Sequence, residues 1–399
     1  MERVAVTGMG IVCPLGLGVE TFWDALLGGR HGFTPIAASE SLSGNRLWAA
    51  VPDELLARID LPPEFLRNAD RFTVYAVASA AQAFAMAGFD APPAKTAVVI
   101  GNTMGGLPLL AQTQMQLAAN PRHVTPKLMA LVIPNMAAAR ISLNWGLKGR
   151  QLTISTACAS SLDALGLAAQ MIERGEAQCA IAGGVETLLA PVVYESLARA
   201  GALSRSTDPA RASRPFDVDR DGFVMGDGGA MLFLEHIEHA RRRGARVLAR
   251  VRGYASMSDG HHLTAPEPSG RYEAEVMRAA LDDAGCAVEA IFAHATGTVV
   301  GDIAELRAIN ATFPERAPLV TALRGHLGHA MAAAGVTSAV AGILGMERQT
   351  VPQTLGTETV DPEARFEVVL GTPRPLRYGA HLVNAFGFGG QNAAIVLSR

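Results

Sequence analysis

The sequence predicts an α/β fold, and three features of its pattern predict it. Short apolar, β-branched runs alternate with longer helical stretches along the chain, the pattern of strands interleaved with helices. Two of the helical stretches, beginning at Ser160 and Ala330, are apolar nearly all round, as helices covered on every side must be. Hydrophobic residues make up 49% of the 399 positions and charged residues 18%, with 41 glycines, which suits a large buried core and not a disordered or fibrous chain.

Taken in order, the strand candidates are Val4–Thr7, Thr96–Ile100, Ala180–Ala182, Ala230–Leu234, Ala249–Val251, Val368–Leu370 and Ala393–Leu397. The helix candidates are Asp70–Ala87, Ser160–Glu173, Ser269–Ala284 and Ala330–Met346. A faint internal repeat runs through them. Gly226-Asp227-Gly228-Gly229 leads into one apolar strand and Gly387-Phe388-Gly389-Gly390 leads into another. Arg3-Val4-Ala5-Val6 and Arg246-Val247-Leu248-Ala249 open comparable stretches. A duplication would divide the chain into halves 1–244 and 245–399, with a site at their interface.

Several classes are disfavoured. A formal net charge of −3 gives no global reason to expect nucleic acid or an anionic membrane. Cys13, Cys158, Cys179 and Cys286 show no CxxC spacing, and His261 and His262 have no neighbouring thiols, so no metal site and no disulfide framework is suggested. Met1-Glu2-Arg3 passes straight into apolar Val4-Ala5-Val6, with no cleavable signal pattern. Ala330–Met346 holds Thr337, Ser338 and three glycines, and reads as a buried helix in preference to a membrane span. A soluble cytoplasmic protein is the expectation.

Chemistry concentrates at three residues. Ile154-Ser155-Thr156-Ala157-Cys158-Ala159-Ser160-Ser161 reads as strand, small-residue turn, then helix. Cys158 then lies at the helix amino terminus, where unpaired N–H groups and the dipole favour a thiolate and where a backbone N–H can face an oxyanion. His294 follows the strand candidate Ala290–Phe292, and His329 opens the apolar helix, a place that pushes an imidazole pKa down. A buried structural cysteine and loop histidines are the bland alternatives. Together the three suit acyl transfer followed by attack of a carbanion.

The motifs Thr156-Ala157-Cys158-Ala159-Ser160-Ser161, His294-Ala-Thr-Gly-Thr with Gly301-Asp302-x-x-Glu305, Gly328-His329 and Asn384-Ala-Phe-Gly-Phe-Gly-Gly390 occur in that order. With Arg214-Pro215-Phe216-Asp217, Arg220-Asp221-Gly222-Phe223 and Met104-Gly105-Gly106-Leu107, the whole chain resembles the β-ketoacyl-acyl-carrier-protein synthases, in their elongating type II branch. The resemblance implies a thiolase fold, two duplicated halves in a five-layered α/β/α/β/α core, in a homodimer or a heterodimer with a chain-length-factor-like partner. It implies Cys158 as nucleophile, His294 and His329 as promoters of malonyl decarboxylation, and the N–H groups of Cys158 and Phe388 as oxyanion hole, with Phe388 also the gate. Thr296 and Thr298 would bind pantetheine, and Met104 would line the acyl pocket, of which Ala137–Ala139 form another part. No metal and no cofactor is implied, because substrates arrive on the phosphopantetheine of an acyl carrier protein.

The sequence also departs from that family. Arg324 stands where lysine is usual, and Ser338 where fatty-acid members carry glutamate, which suggests a coordinated change in one buried network. Ala295 replaces a glycine. Arg67, Arg122 and Arg199 lie near positions that bind the acidic carrier, with Glu64 replacing a basic residue there. These departures favour a specialised type II polyketide enzyme over a fatty-acid elongase. The alternative is a ketosynthase-like acyltransferase, hydrolase or cyclase that uses Cys158 without elongation. A dinucleotide site at Thr7-Gly8-Met9-Gly10 lacks its third glycine and runs into Pro14.

Overall fold

The architecture rests on ten strands: β1 (Val4–Cys13), β2 (Ala97–Gly101), β3 (Gln151–Ile154), β4 (Cys179–Glu186), β5 (Gly228–His236), β6 (Ala249–Ser258), β7 (Ala290–Phe292), β8 (Leu319–Thr321), β9 (Ala380–Gly387) and β10 (Gln391–Ser398). The computed structural model describes residues 3–36 and 47–399. Met1 and Glu2, part of the amino-terminal reading above, lie outside the described residues.

The strands follow the order β8-β7-β9-β10-β6-β1-β5-β4-β2-β3, with the short strand Gly16–Leu17 paired to β1. Strands β1–β5 are arranged 3-2-4-5-1, and β6–β10 repeat that order as 8-7-9-10-6. In each set four strands run in one direction, and only the fourth in the order, β5 or β10, is antiparallel to its neighbours. Among the described residues, the two sets pair with each other only at Val4–Val6 of β1 and Ala249–Val251 of β6.

Seven helices complete the part that positions the site: α1 (Arg71–Met86), α2 (Met136–Trp145), α3 (Ser160–Glu173), α4 (Arg271–Ala284), α5 (Val299–Thr312), α6 (Arg324–Leu327) and α7 (Ala334–Arg348). Helix α1 covers the outer face of the first sheet and contacts α2. Helices α3 and α7 contact each other between the sheets, and α4, with α5 against it, covers the second. This is the five-layered α/β/α/β/α thiolase arrangement. The middle layer explains the sequence pattern: every residue of α7 from Ala334 to Met346 is buried, as a helix enclosed by two sheets requires.

Gly8 and Gly10 have a packing reason. A Cβ on either would meet a carbonyl oxygen of α1 at 2.0 Å (Ala83 and Ser79 respectively), so glycine lets the helix lie directly on β1. Strand β1 runs unbroken past both glycines. That leaves no phosphate-binding turn and removes the dinucleotide reading.

Helix α3 occupies the span its sequence predicts, most strands run longer than expected, and helices α1 and α4 are one or two residues shorter at their ends. Two expectations are corrected. Val368–Leu370 is not a strand but a segment with one isolated bridge, Val368 to Val320. The helix expected from Ala330 begins at Ala334, after a 3-10 turn over Met331–Ala333, because Met331 takes φ 39 and interrupts the helical path. Among the described residues, no helix is long and apolar enough to cross a membrane.

Candidate active site

Cys158 lies in a 3-10 turn, Ala157–Ala159, between β3 and α3. Ala157 has φ 48, a conformation that residues other than glycine seldom adopt, and this sharp turn lifts Cys158 off the strand. Local bonds hold the turn. The Thr156 N–H donates to Ser160 Oγ at 2.9 Å, Ser160 Oγ–H donates to the Ala157 carbonyl at 2.6 Å, and Tyr254 O–H donates to Asp163, which also accepts from Thr156. The sulfur is not exposed on the surface, since Cys158 is only 4% accessible, but it opens on a cavity of about 370 Å³.

That burial corrects the expected thiolate. It pushes the Cys158 thiol up to about 12; the Arg324 charge and the N–H groups of Phe388 and Cys158 pull it down, and the Glu186 carboxylate acts in the same sense as burial. Desolvation outweighs the helix terminus, so the resting group is a neutral thiol. Its partner is His329, whose Nε2 lies 3.0 Å from Sγ.

His329 is fixed through its backbone. Its N–H donates to the Val224 carbonyl at 2.8 Å, and its own carbonyl accepts from Gly226 at 3.0 Å. Phe223 meets its ring edge-on at 5.3 Å. The imidazole is held well below 6.5, by burial first, then by His294 and Arg324. The α7 terminus is not the cause, since the helix starts five residues later.

His294 is fixed by carboxylates. Glu305 on α5 accepts from the N–H of His294 (2.9 Å) and of Ala295 (2.6 Å), and from Asn384 Nδ2 (3.0 Å). Asp302, one turn earlier, accepts from Gly297 and Phe216. The motif Gly301-Asp302-x-x-Glu305 is therefore the clamp of the histidine loop. Burial and Arg324 hold His294 well below 6.5 as well. The two imidazoles lie 5.2 Å apart, nearly perpendicular, and neither Nδ1 has a partner among the described residues. Ala295, where the family has glycine, takes φ 24.

The ligating atoms of Cys158, His294 and His329 all lie within 4.8 Å of one another. The sequence grouped these three for acyl transfer, but their spacing did not suggest a metal site, and the set would also suit a soft divalent cation. A second group, Cys179, Glu235 and His239, already has the Arg243 guanidinium bonded to Glu235.

Comparison with known proteins agrees with this geometry. Residues 1–240 match the model of the β-ketoacyl synthase N-terminal domain, and residues 248–358 match the C-terminal domain. The chain belongs to the β-ketoacyl synthase family. A 3-oxoacyl-[acyl-carrier-protein] synthase 2 of Coxiella burnetii is 36% identical, over 100% of this chain and 99% of its own. The ishigamide ketosynthase/chain length factor superposes with TM-score 0.91 at 31% identity, over 100% of this chain and 99% of that one. A type II polyketide ketosynthase in complex with its acyl-carrier protein gives TM-score 0.89 at 28% identity, with the same coverage. The synthase is an enzyme of the acyltransferase type.

Around its centre, the synthase places the remaining expected residues unevenly. Thr296 and Thr298 line the cavity, with their hydroxyls 3.0 Å apart. Phe388 lines it too and is 41% exposed, on a loop whose next two residues are glycines of positive φ. Met104 does not line this cavity; it is 44% exposed at the surface of the single chain. Ala137 and Ala138 are core residues of α2, also away from the cavity.

Arg324 and Ser338 are both buried, yet the expected network does not join them. Ser338 Oγ and the Arg324 Nε and Nη2 atoms have no hydrogen-bond partner among the described residues. The arginine acts by charge, and burial lowers its own pKa to about 10.

Arg67, Arg122 and Arg199 are exposed. Arg199, paired with Glu195 at 3.1 Å, directly precedes the cavity-lining Ala200. Lys127, which sequence reasoning missed, bonds Asn68 beside Arg67, and Arg140 bonds the Asn68 carbonyl. Glu273 and Asn392, both buried in the cavity wall, were also missed.

Proposed function

We propose that this enzyme is an elongating β-ketoacyl-acyl-carrier-protein synthase of a specialised type II polyketide pathway. The observation that carries the reading is Cys158 Sγ at 3.0 Å from a neutral His329 Nε2, with the His294 ring edge-to-face beside it. In the first half-reaction Cys158 attacks the acyl thioester of a carrier protein. His329 relays the thiol proton to the departing pantetheine sulfur. In the second, malonyl thioester loses carbon dioxide, and neutral imidazole N–H groups stabilise the enolate oxygen. The enolate carbon attacks the Cys158 thioester while the N–H groups of Cys158 and Phe388 hold the oxyanion. The thiolate then leaves and takes up a proton. Thiol, imidazoles and backbone donors supply these steps, so the proposal includes no metal or cofactor beyond the phosphopantetheine that carries the substrates.

Arg324, Ser338 and Ala295 support the specialised pathway, as does the similarity to a polyketide ketosynthase. Among the described residues strand β3 pairs on one side only, and Met104, Met115 and Leu143 lie exposed in the same half. A second copy, or a chain-length-factor-like partner, would cover this face and complete the acyl pocket beside Met104. Arg67, Arg122, Arg199, Lys127 and Arg140 are the proposed contacts for an acidic carrier.

The test is to incubate the protein with acyl- and malonyl-carrier proteins and follow intact mass and carbon dioxide. Acylation at Cys158 followed by release of carbon dioxide and a β-ketoacyl carrier is the expected result. Acylated Cys158 without carbon dioxide would replace elongation by simple acyl transfer.

A further inference from the structure

The cavity that holds Cys158 carries a polar group that the reaction above does not use. Glu273, in the first turn of α4, is 3% exposed and lines that cavity, and its Oε2 has no hydrogen-bond partner among the described residues. Asn392 at the start of β10 lines the same cavity, is equally buried, and its Nδ2 likewise has no partner among the described residues. Helix α4 packs on β10, so the two side chains belong to one wall. The neighbouring charges of α4 face solvent: exposed Arg271 pairs with half-buried Glu275 at 2.8 Å. Glu273 is instead buried, beside the apolar Ala274.

Buried polar atoms in native proteins are almost always bonded, so two open ones on the wall of a reaction cavity point to a ligand. The form of the acid identifies which kind. Burial, then the charges of Glu305, Asp259, Glu267 and Asp302, raise the Glu273 carboxyl well above its ordinary range. A neutral carboxyl offers an O–H donor, and the Asn392 amide offers N–H donors. Two donors match an uncharged carbonyl oxygen, which has two lone pairs. A free carboxylate at this point would instead repel the malonyl group. Thr296 and Thr298 line the same cavity, so the group that reaches the Cys158 thiol passes along a wall bearing all four side chains.

We propose that Glu273, with Asn392, binds an amide carbonyl of the pantetheine arm and positions the extender thioester for decarboxylation. The assignment rests on the ketosynthase reading of the cavity. Glu273 is a positioning residue: it touches the arm, not the reacting atoms.

Three malonyl thioesters test it: malonyl-pantetheine and malonyl-N-acetylcysteamine, which carry amides, and malonyl ethyl thioester, which carries none. Carbon dioxide release is followed in the full-length enzyme and in Glu273→Ala and Glu273→Gln. Loss of one hydrogen bond predicts a KM about tenfold higher for at least one amide-bearing substrate in Glu273→Ala. The expected kcat changes much less, the ethyl thioester is unaffected, and Glu273→Gln restores the KM. A KM that rises equally for the ethyl thioester, or for none of the three, overturns the proposal. So does an effect confined to acylation by acyl chains that carry their own oxygen. Thermal melting of both variants separates misfolding from lost binding. If Cys158 in the unaltered enzyme accepts no acyl group, the ketosynthase reading fails instead; normal acylation with unchanged KM values removes only the Glu273 assignment.

Discussion

The two histidines lie 5.2 Å apart between ring centroids but are held by different means. His329 hangs from backbone bonds to Val224 and Gly226, which no side-chain substitution removes directly. His294 hangs from Glu305, whose buried carboxylate gathers the N–H groups of His294 and Ala295 and the Asn384 amide. His329 also touches the thiol, whereas His294 has no hydrogen bond to it. The acyl-accepting pair is therefore built into the sheet framework, and the second histidine is mounted on a clamp that one carboxylate closes. The first half-reaction should tolerate damage to that clamp, and the second should not.

The largest expected effect separates them. Glu305→Ala releases the His294 loop, and displacement on the order of an ångström costs about 100-fold in a positioned reaction. Malonyl decarboxylation is expected to fall by that factor while acylation of Cys158, followed by intact mass, changes far less. Equal losses in both would break the comparison.

Arg324→Met ranks next. The arginine charge is the leading influence that lowers the Cys158 thiol against burial. Its removal should slow alkylation of Cys158 about tenfold, near one pKa unit of lost thiolate, and Arg324→Lys should restore most of it. An unchanged alkylation rate would show that the buried guanidinium has no hold on the thiol.

A third check concerns pH. Both imidazoles are held well below 6.5, so each stays neutral in the folded enzyme while its unfolded counterpart takes up a proton below about 6.5. Their contribution to folding stability is thus present above that pH and is lost as pH falls toward the folded values. Decarboxylation should show no imidazole step between about pH 6 and about pH 8. A step near 6.5 that disappears in His294→Ala would place that histidine in solvent.

The smallest effect belongs to Ala295. Its φ of 24 is strained for any residue with a Cβ, and Ala295→Gly is expected to stabilise the protein by about 1 kcal/mol, read as a higher Tm with decarboxylation retained. Destabilisation would mean that the loop is not strained at this position.

Much of this was legible in the sequence because strong patterns were involved. Helix α3 is apolar on every side, and the small residues around Cys158 mark a turn into a helix. Glu305 was visible as part of a motif but not as a clamp, since the bonds it makes depend on α5 lying under the histidine loop. The thiol's protonation state was misread because the dipole of a nearby helix is legible locally, while the desolvation that outweighs it comes from the whole fold. Glu273 was invisible for a related reason. Among Arg271, Glu275 and Arg278 it looks like one more charge on a solvated face, and only the packing of α4 on the second sheet turns it inward. Arg324 and Ser338 look like paired changes in sequence, yet their side chains remain unbonded to each other.

The central claim is that Cys158 holds the acyl group while the histidine pair generates the carbanion that removes it. A single-turnover experiment with pre-acylated Cys158 and malonyl-carrier protein tests it most directly, by counting carbon dioxide, β-ketoacyl carrier and remaining adduct together. Equal amounts of carbon dioxide and β-ketoacyl product, formed as the adduct disappears, are predicted. An adduct that persists, or that leaves as free acid while no β-ketoacyl carrier forms, would contradict the account.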